Sequence, residues 1–130
     1  MYRQRFAEGG QALIGSNGSE IVFSAWVQRK NLCIDELAWR WSIPESDAVV
    51  FDVVTMDGWR GRGIYPEALR RLGGLLAEQG VHHLWIYAEE ENGASLRGIE
   101  KAQFEYHGTI EACRIAGLTL RRGKVEGVNA

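Results

Sequence analysis

The run Thr55-Met-Asp-Gly-Trp-Arg-Gly-Arg-Gly-Ile-Tyr65 concentrates the chemistry of this 130-residue sequence. Glycine adopts positive φ freely, so Gly61 and Gly63 let backbone N–H groups crowd around one point. A helix beginning near Pro66 adds about half a positive charge at its N-terminus. A strand, Val49 to Thr55, feeds the turn. The layout predicts an anion site, and a phosphate-bearing ligand is its natural guest.

Two common phosphate loops do not fit. A nucleoside-triphosphate loop needs Lys-Ser/Thr after its last glycine, whereas Ile64 and Tyr65 follow Gly63. A dinucleotide fingerprint needs Gly-x-Gly-x-x-Gly; Gly61 and Gly63 supply the first pair, but Pro66 stands where the third glycine belongs.

What remains, Arg60-x-x-Gly63-x behind a strand and a Thr-x-Asp-x-Trp lead-in, resembles the acetyl-coenzyme A loop of the GCN5-related N-acetyltransferase (GNAT) superfamily. That pattern is Arg/Gln-x-x-Gly-x-Gly/Ala, and Tyr65 departs from it at the last small residue. A second motif follows: Asn92-Gly-Ala-Ser95 opens a short helix closing in Lys101-Ala-Gln-Phe104, where the family has Lys-x-Gly-Phe. Gln103 replaces the glycine that adopts the left-handed conformation without cost, so the turn should be altered or strained. The resemblance runs from about Gln11 to Arg122.

The resemblance implies a mixed α/β fold: a mostly antiparallel sheet of six to seven strands with helices packed on it, splayed between its two central strands. It also implies a site for acetyl-coenzyme A as co-substrate. Pantetheine would lie in the gap beside Val53, Val54 and Thr55 on a bulged strand, bonded by their backbone groups like an added strand. Gly61, Arg62, Gly63 and Ile64 would hold the pyrophosphate, with Arg60 and Tyr65 bordering it. Asn92 and Ser95 would meet the pantetheine arm, although both residue types also favour plain helix capping. The implied activity is N-acyl transfer from acetyl-coenzyme A to an amine of a small molecule or peptide, by direct attack in a ternary complex. The alternative is a non-catalytic coenzyme A-binding regulatory or interaction module.

Direct transfer needs a base for the amine's proton and an acid for the leaving thiolate. The family's tyrosine acid, seven residues after the motif Asn, is replaced by Ile99, and its glutamate base, five residues before, by Tyr87. Asp52 interrupts the apolar strand beside the cleft, where desolvation would favour base chemistry, weighed against a core-edge aspartate bonded to backbone or to an arginine. Tyr65, Tyr87 and Tyr106 are candidate acids, weighed against ordinary tyrosine packing. Glu89-Glu-Glu91 would attract a cation or simply solvate a strand end. His82 and His83 are adjacent and so face opposite sides of a strand, which argues against a shared metal. No metal site is expected.

Fifteen basic and 17 acidic residues give a net charge of −2, so no global field recruits nucleic acid or anionic membrane. Cys33 and Cys113 read as buried, reduced thiols. No apolar run approaches a membrane span, and Met1-Tyr-Arg-Gln-Arg5 lacks a signal peptide's apolar core, so a cytoplasmic protein is expected.

The positioning elements form one domain, residues 1–130, with 45% hydrophobic content. Gln11–Gly15 and Glu20–Gln28 read as a hairpin turning at Ser16–Ser19, and Leu32–Trp41 as one strand. Val49–Thr55 reads as an interior strand, then helix 66–79 stopped by Gly80, then strand Val81–Ala88. Phe104–Arg114 and Ala116–Arg122 read as a closing strand pair turning near Gly117, and 123–130 as a loose tail. Only about ten residues precede the first strand, where the family has a strand and two helices walling the acceptor. A homodimer, a partner subunit, or Trp26, Trp39, Trp41 and Trp59 would complete that wall, although tryptophans are also common core residues.

Overall fold

A computed structural model of the chain describes residues 2–34, 39–89, 91–112 and 115–124. A short helix α1 (Tyr2–Ala7) leads into strands β1 (Gln11–Asn17), β2 (Glu20–Gln28), β3 (Asn31–Ile34), β4 (Trp39–Ser42) and β5 (Asp47–Thr55). Helix α2 (Ile64–Glu78), strand β6 (His83–Glu89), helix α3 (Gly93–Lys101), and strands β7 (Phe104–Ala112) and β8 (Ile115–Lys124) complete it. The main sheet has six strands in the order β1-β2-β5-β6-β8-β7, and β3 and β4 form a separate two-stranded hairpin. Every neighbouring pair in the main sheet is antiparallel except the central pair, β5 and β6.

Period-two alternation on β5 and β6 sorts the core into two layers. Val22, Ala48, Val50, Leu84 and Ile86 face the helices and pack on Leu69, Leu72 and Leu76 of α2 and Ile99 of α3. Leu69, Leu72 and Leu76 recur at helical spacing, which explains why one stripe of α2 is buried. Trp26, Val49 and Phe51 face the other way and join Leu32, Ile43, Trp41, Trp85 and Tyr87 under the β3–β4 hairpin.

Several boundaries differ from the sequence reading. The segment expected as one strand over Leu32–Trp41 is the hairpin β3–β4, with Leu32 opposite Trp41; the run is rich in tryptophan and has no Gly, Pro or Asn to mark a turn within it. Helix α2 starts at Ile64, two residues before Pro66, because the left-handed Gly63 already turns the chain into it. Gly117 lies within β8, and the 113–114 connection, with Cys113, is outside the described residues. Gly123 and Lys124 belong to β8, paired with Leu84 and His83; residues 125–130 of the expected tail are outside the described residues. Cys33 is exposed on β3 and not buried. Helix α1 had no apolar periodicity to announce it.

Candidate functional site

The parallel register of β5 and β6 runs from Asp47↔His83 to Val50↔Ile86 and stops, although β5 continues to Thr55 and β6 to Glu89. The two central strands therefore part, each still held on its outer side: Val54 and Thr55 by Ser24 and Phe23, Tyr87 to Glu89 by Leu120 to Leu118. The cause of the parting is local. Between Phe51↔Trp26 and Val54↔Ser24, β5 carries two residues against one on β2, and Asp52 takes φ 48. This is a β-bulge, which bends the strand and re-aims its backbone. Aspartate tolerates the left-handed region better than most side chains.

The glycine loop lies at the open end of this gap. Gly58, Gly61 and Gly63 have φ of 83, 75 and 75, and none would meet another atom within 4 Å if a Cβ were added. Gly63 is the N-cap of α2 and provides no side-chain cap. Pro66 has no N–H, so the first-turn donors are those of Ile64 and Tyr65, which join the loop's own N–H groups in favouring negative charge. Arg60 borders the loop: its Nε donates to the Thr55 carbonyl at 3.0 Å and its Nη1 lies 3.1 Å from Asp57 Oδ1. The Arg62 guanidinium stacks 4.8 Å from the Trp59 ring centre. Beneath the loop the Thr55 hydroxyl is buried without a hydrogen-bond partner.

Asn92 caps α3, its Oδ1 accepting the Ser95 N–H at 3.1 Å. Burial raises the Tyr65 phenol above its ordinary value, and the neighbouring Ser95 side chain offsets part of that rise. Glu67, in the first turn of α2, is held below the usual carboxylate range by hydrogen bonds from Arg70 and then Arg71. The Gln103 turn keeps the left-handed conformation at φ 70, so the sequence departure shows as strain and not as a rebuilt turn.

Asp52 is bonded to an arginine, one of its two expected readings, but the desolvation expected of a base is not found. It is not a desolvated carboxylate at a core edge: its side chain is 54% exposed and ion-paired with Arg5. The bulge turns it outward, which strand alternation alone does not foresee. Tyr87 is half-buried on the aromatic layer, immediately past the last β5–β6 pair. Tyr106 lies on β7, with β8 between its strand and β6, and of it only the backbone is described. Ile99 is fully buried. Trp26 and Trp41 pack in the aromatic layer, Trp59 leans on the helical one, and the Trp39 side chain is outside the described residues. His82 and His83 are exposed, with His83 Nδ1 3.1 Å from Asp47 Oδ1. Glu89 and Glu91 are exposed, and Glu90 is outside the described residues. Sequence reasoning missed Arg5, which no motif marks.

Among the described residues no group of three His, Cys, Asp or Glu side chains is placed to hold a metal, and no helix is long and apolar enough to cross a membrane.

No protein-family model matches the sequence, and no curated protein matches it. Solved structures do. The chain is similar to yncA from Salmonella typhimurium, assigned as an acetyltransferase and bound to its cofactor acetyl-CoA, with 18% identity over 96% of this chain and 70% of that one, TM-score 0.70. It is similar to the aminoglycoside acetyltransferase AAC(6')-Ib in complex with coenzyme A, with 18% identity over 92% and 69% of the two chains, TM-score 0.73. A protein of Desulfovibrio desulfuricans assigned to the GNAT family matches with 11% identity over 95% and 76%, TM-score 0.75. The chain has the GNAT fold.

Proposed function

We propose that this chain is an N-acetyltransferase that uses acetyl-coenzyme A and transfers the acetyl group directly to an amine. The observation that carries the reading is the parting of β5 and β6 after Val50 and Ile86, with the uncapped, glycine-bounded start of α2 at its mouth. An extended diamide such as pantetheine can add to the strand edge that Val53, Val54 and Thr55 present in the gap. A pyrophosphate at the loop of residues 61–65 gains several N–H donors and the helix field together. The orphaned Thr55 hydroxyl lies at the junction of these two stretches. Asn92 has committed its Oδ1 to capping and offers its amide nitrogen to the pantetheine arm, with Ser95 one turn along the same helix beside it.

The thioester would then reach the point where the strands part, which Asp52 and Tyr87 flank. In the reaction the amine nitrogen attacks the thioester carbonyl, the carbon–sulfur bond breaks, and the thiolate leaves as free thiol. The ammonium must first lose a proton, and Asp52 is the carboxylate at the bulge to take it, directly or through water. Tyr87 is placed better than Tyr106 to protonate the thiolate, since two inter-strand spacings, about 10 Å, separate the β7 backbone from β6. Helix α1 and the β3–β4 hairpin wall the aromatic side of the gap, and light scattering will tell whether a second copy adds to that wall.

A second reading, a coenzyme-binding module without turnover, is favoured by the buried Ile99 at the family's tyrosine position and by the Arg5 guanidinium on Asp52. Amine-dependent release of free thiol from acetyl-coenzyme A, assayed against polyamines, aminoglycosides and short peptides, separates the two. Release above the hydrolysis rate is the expected result; coenzyme binding with no release under any amine supports the second reading.

A further inference from the structure

We propose that Trp26, Phe51 and Asp52 form a recognition site for an alkyl guanidinium or ammonium group, and that the chain's own Arg5 fills it in the free protein. The β2–β5 register sets Trp26 directly opposite Phe51, and both side chains turn to the aromatic layer. The Arg5 guanidinium carbon lies 5.0 Å from the Trp26 ring centre and 5.2 Å from that of Phe51, and the Asp52 carboxylate takes its Nη2. Two aromatic faces and one carboxylate around a single point select a cation over a neutral group of the same size. Arg5 is drawn far enough in that its side chain is only 20% exposed.

The element that delivers Arg5 is built for release. Helix α1 has six residues, too short to persist on its own. Its Phe6 leans on Trp26 at 5.0 Å yet remains 58% exposed, so it contributes little burial. The helix ends in Gly9 at φ 86, and Gly9 and Gly10 donate back to Phe6 and Arg5 carbonyls at 3.0 and 2.7 Å. The chain is anchored immediately after the helix: the buried Gln28 side chain donates to the Glu8 carbonyl at 3.1 Å. Withdrawing Arg5 therefore moves residues 2–7 about the Glu8 anchor, at the cost of the Gly9 and Gly10 bonds to the helix carbonyls, and leaves β1 and β2 in place.

The cage adjoins the bulge where the acyl group would sit, so Arg5 is an internal stand-in for a cationic acceptor, and the acceptor must displace it. Naming the guest as the acceptor rests on the acetyltransferase reading; the cage itself does not. A tethered competitor acts at an effective concentration of about millimolar or more, so its removal should be felt strongly by any free cation.

The test is titration of agmatine, without cofactor, into the wild type, Arg5→Ala and Arg5→Ala/Asp52→Asn, with folding followed by circular dichroism. Arg5→Ala should bind agmatine about ten-fold more tightly or better, and the added Asp52→Asn should reverse that gain. If Arg5→Ala does not fold, Arg5→Gln keeps the stem and removes the charge. Equal, weaker or absent binding in the folded Arg5 variant overturns the proposal, as does a gain that survives Asp52→Asn. Acetyl-coenzyme A is titrated in parallel: its failure to bind alongside agmatine binding would sink the acetyltransferase reading and leave the cage intact.

Discussion

The Tyr65 ring lies directly on the α-carbon face of Gly98: a Cβ added at Gly98 would stand 2.6 Å from Tyr65 Cδ1. Phe23 closes the other side of the ring edge-on at 6.3 Å. A ring at position 65 is thus accommodated because residue 98 has no side chain.

Gly98→Ala should destabilise the protein despite the roughly 1 kcal/mol that alanine gains over glycine in a helix interior, because overpacking costs about 1–3 kcal/mol. With Tyr65→Ala in place the same change should become stabilising. Urea unfolding of the four proteins measures the coupling, and additive effects would contradict the contact.

Tyr65 also sets a pH dependence. Burial raises its phenol above the ordinary 10.0, so the folded chain holds this proton more tightly than the unfolded chain does. The contribution is fully present below the unfolded-state value and is lost as pH rises through the higher folded value. Tyr65→Phe should flatten the alkaline fall in stability above about pH 10 while leaving the neutral range nearly unchanged, as read from thermal unfolding across pH.

Gln103→Gly should raise stability by about 1 kcal/mol, since a glutamine at φ 70 bears a steric cost that glycine avoids. The residue is exposed, so little packing is lost. Chemical denaturation checks it, and an unchanged midpoint would mean that the unfolded-state entropy of glycine offsets the relief.

Asp52→Asn and Tyr87→Phe should each lower kcat, by about 10²-fold or more for the residue that transfers the proton, with acetyl-coenzyme A affinity unchanged. Asparagine also tolerates the left-handed backbone at position 52, so the bulge should survive. Full activity in either variant removes that residue from the scheme.

The anion loop and the interior strand were legible because glycine placement and apolar continuity are local signals. The bulge and splay entered only through the family resemblance, since nothing in Asp52 itself says that its side chain turns outward. The β3–β4 hairpin was hidden because no Gly, Pro or Asn marks a turn between Leu32 and Trp41. Arg5 was invisible for a different reason: its partners Trp26, Phe51 and Asp52 are 21 to 47 positions away and meet it only through the sheet. Tyr65 reads as an anomaly in one motif until Gly98, 33 residues on, is placed against it.

Calorimetric titration of acetyl-coenzyme A into the wild type, Gly63→Asn and Gly63→Asp tests the central claim most directly. Both variants face the same left-handed backbone at φ 75, and only aspartate adds negative charge where the pyrophosphate should lie. The account predicts micromolar binding to the wild type and a loss in Gly63→Asp at least about ten-fold, roughly 1.4 kcal/mol, beyond that in Gly63→Asn. Equal affinities for all three folded proteins, or no binding to the wild type, would contradict it.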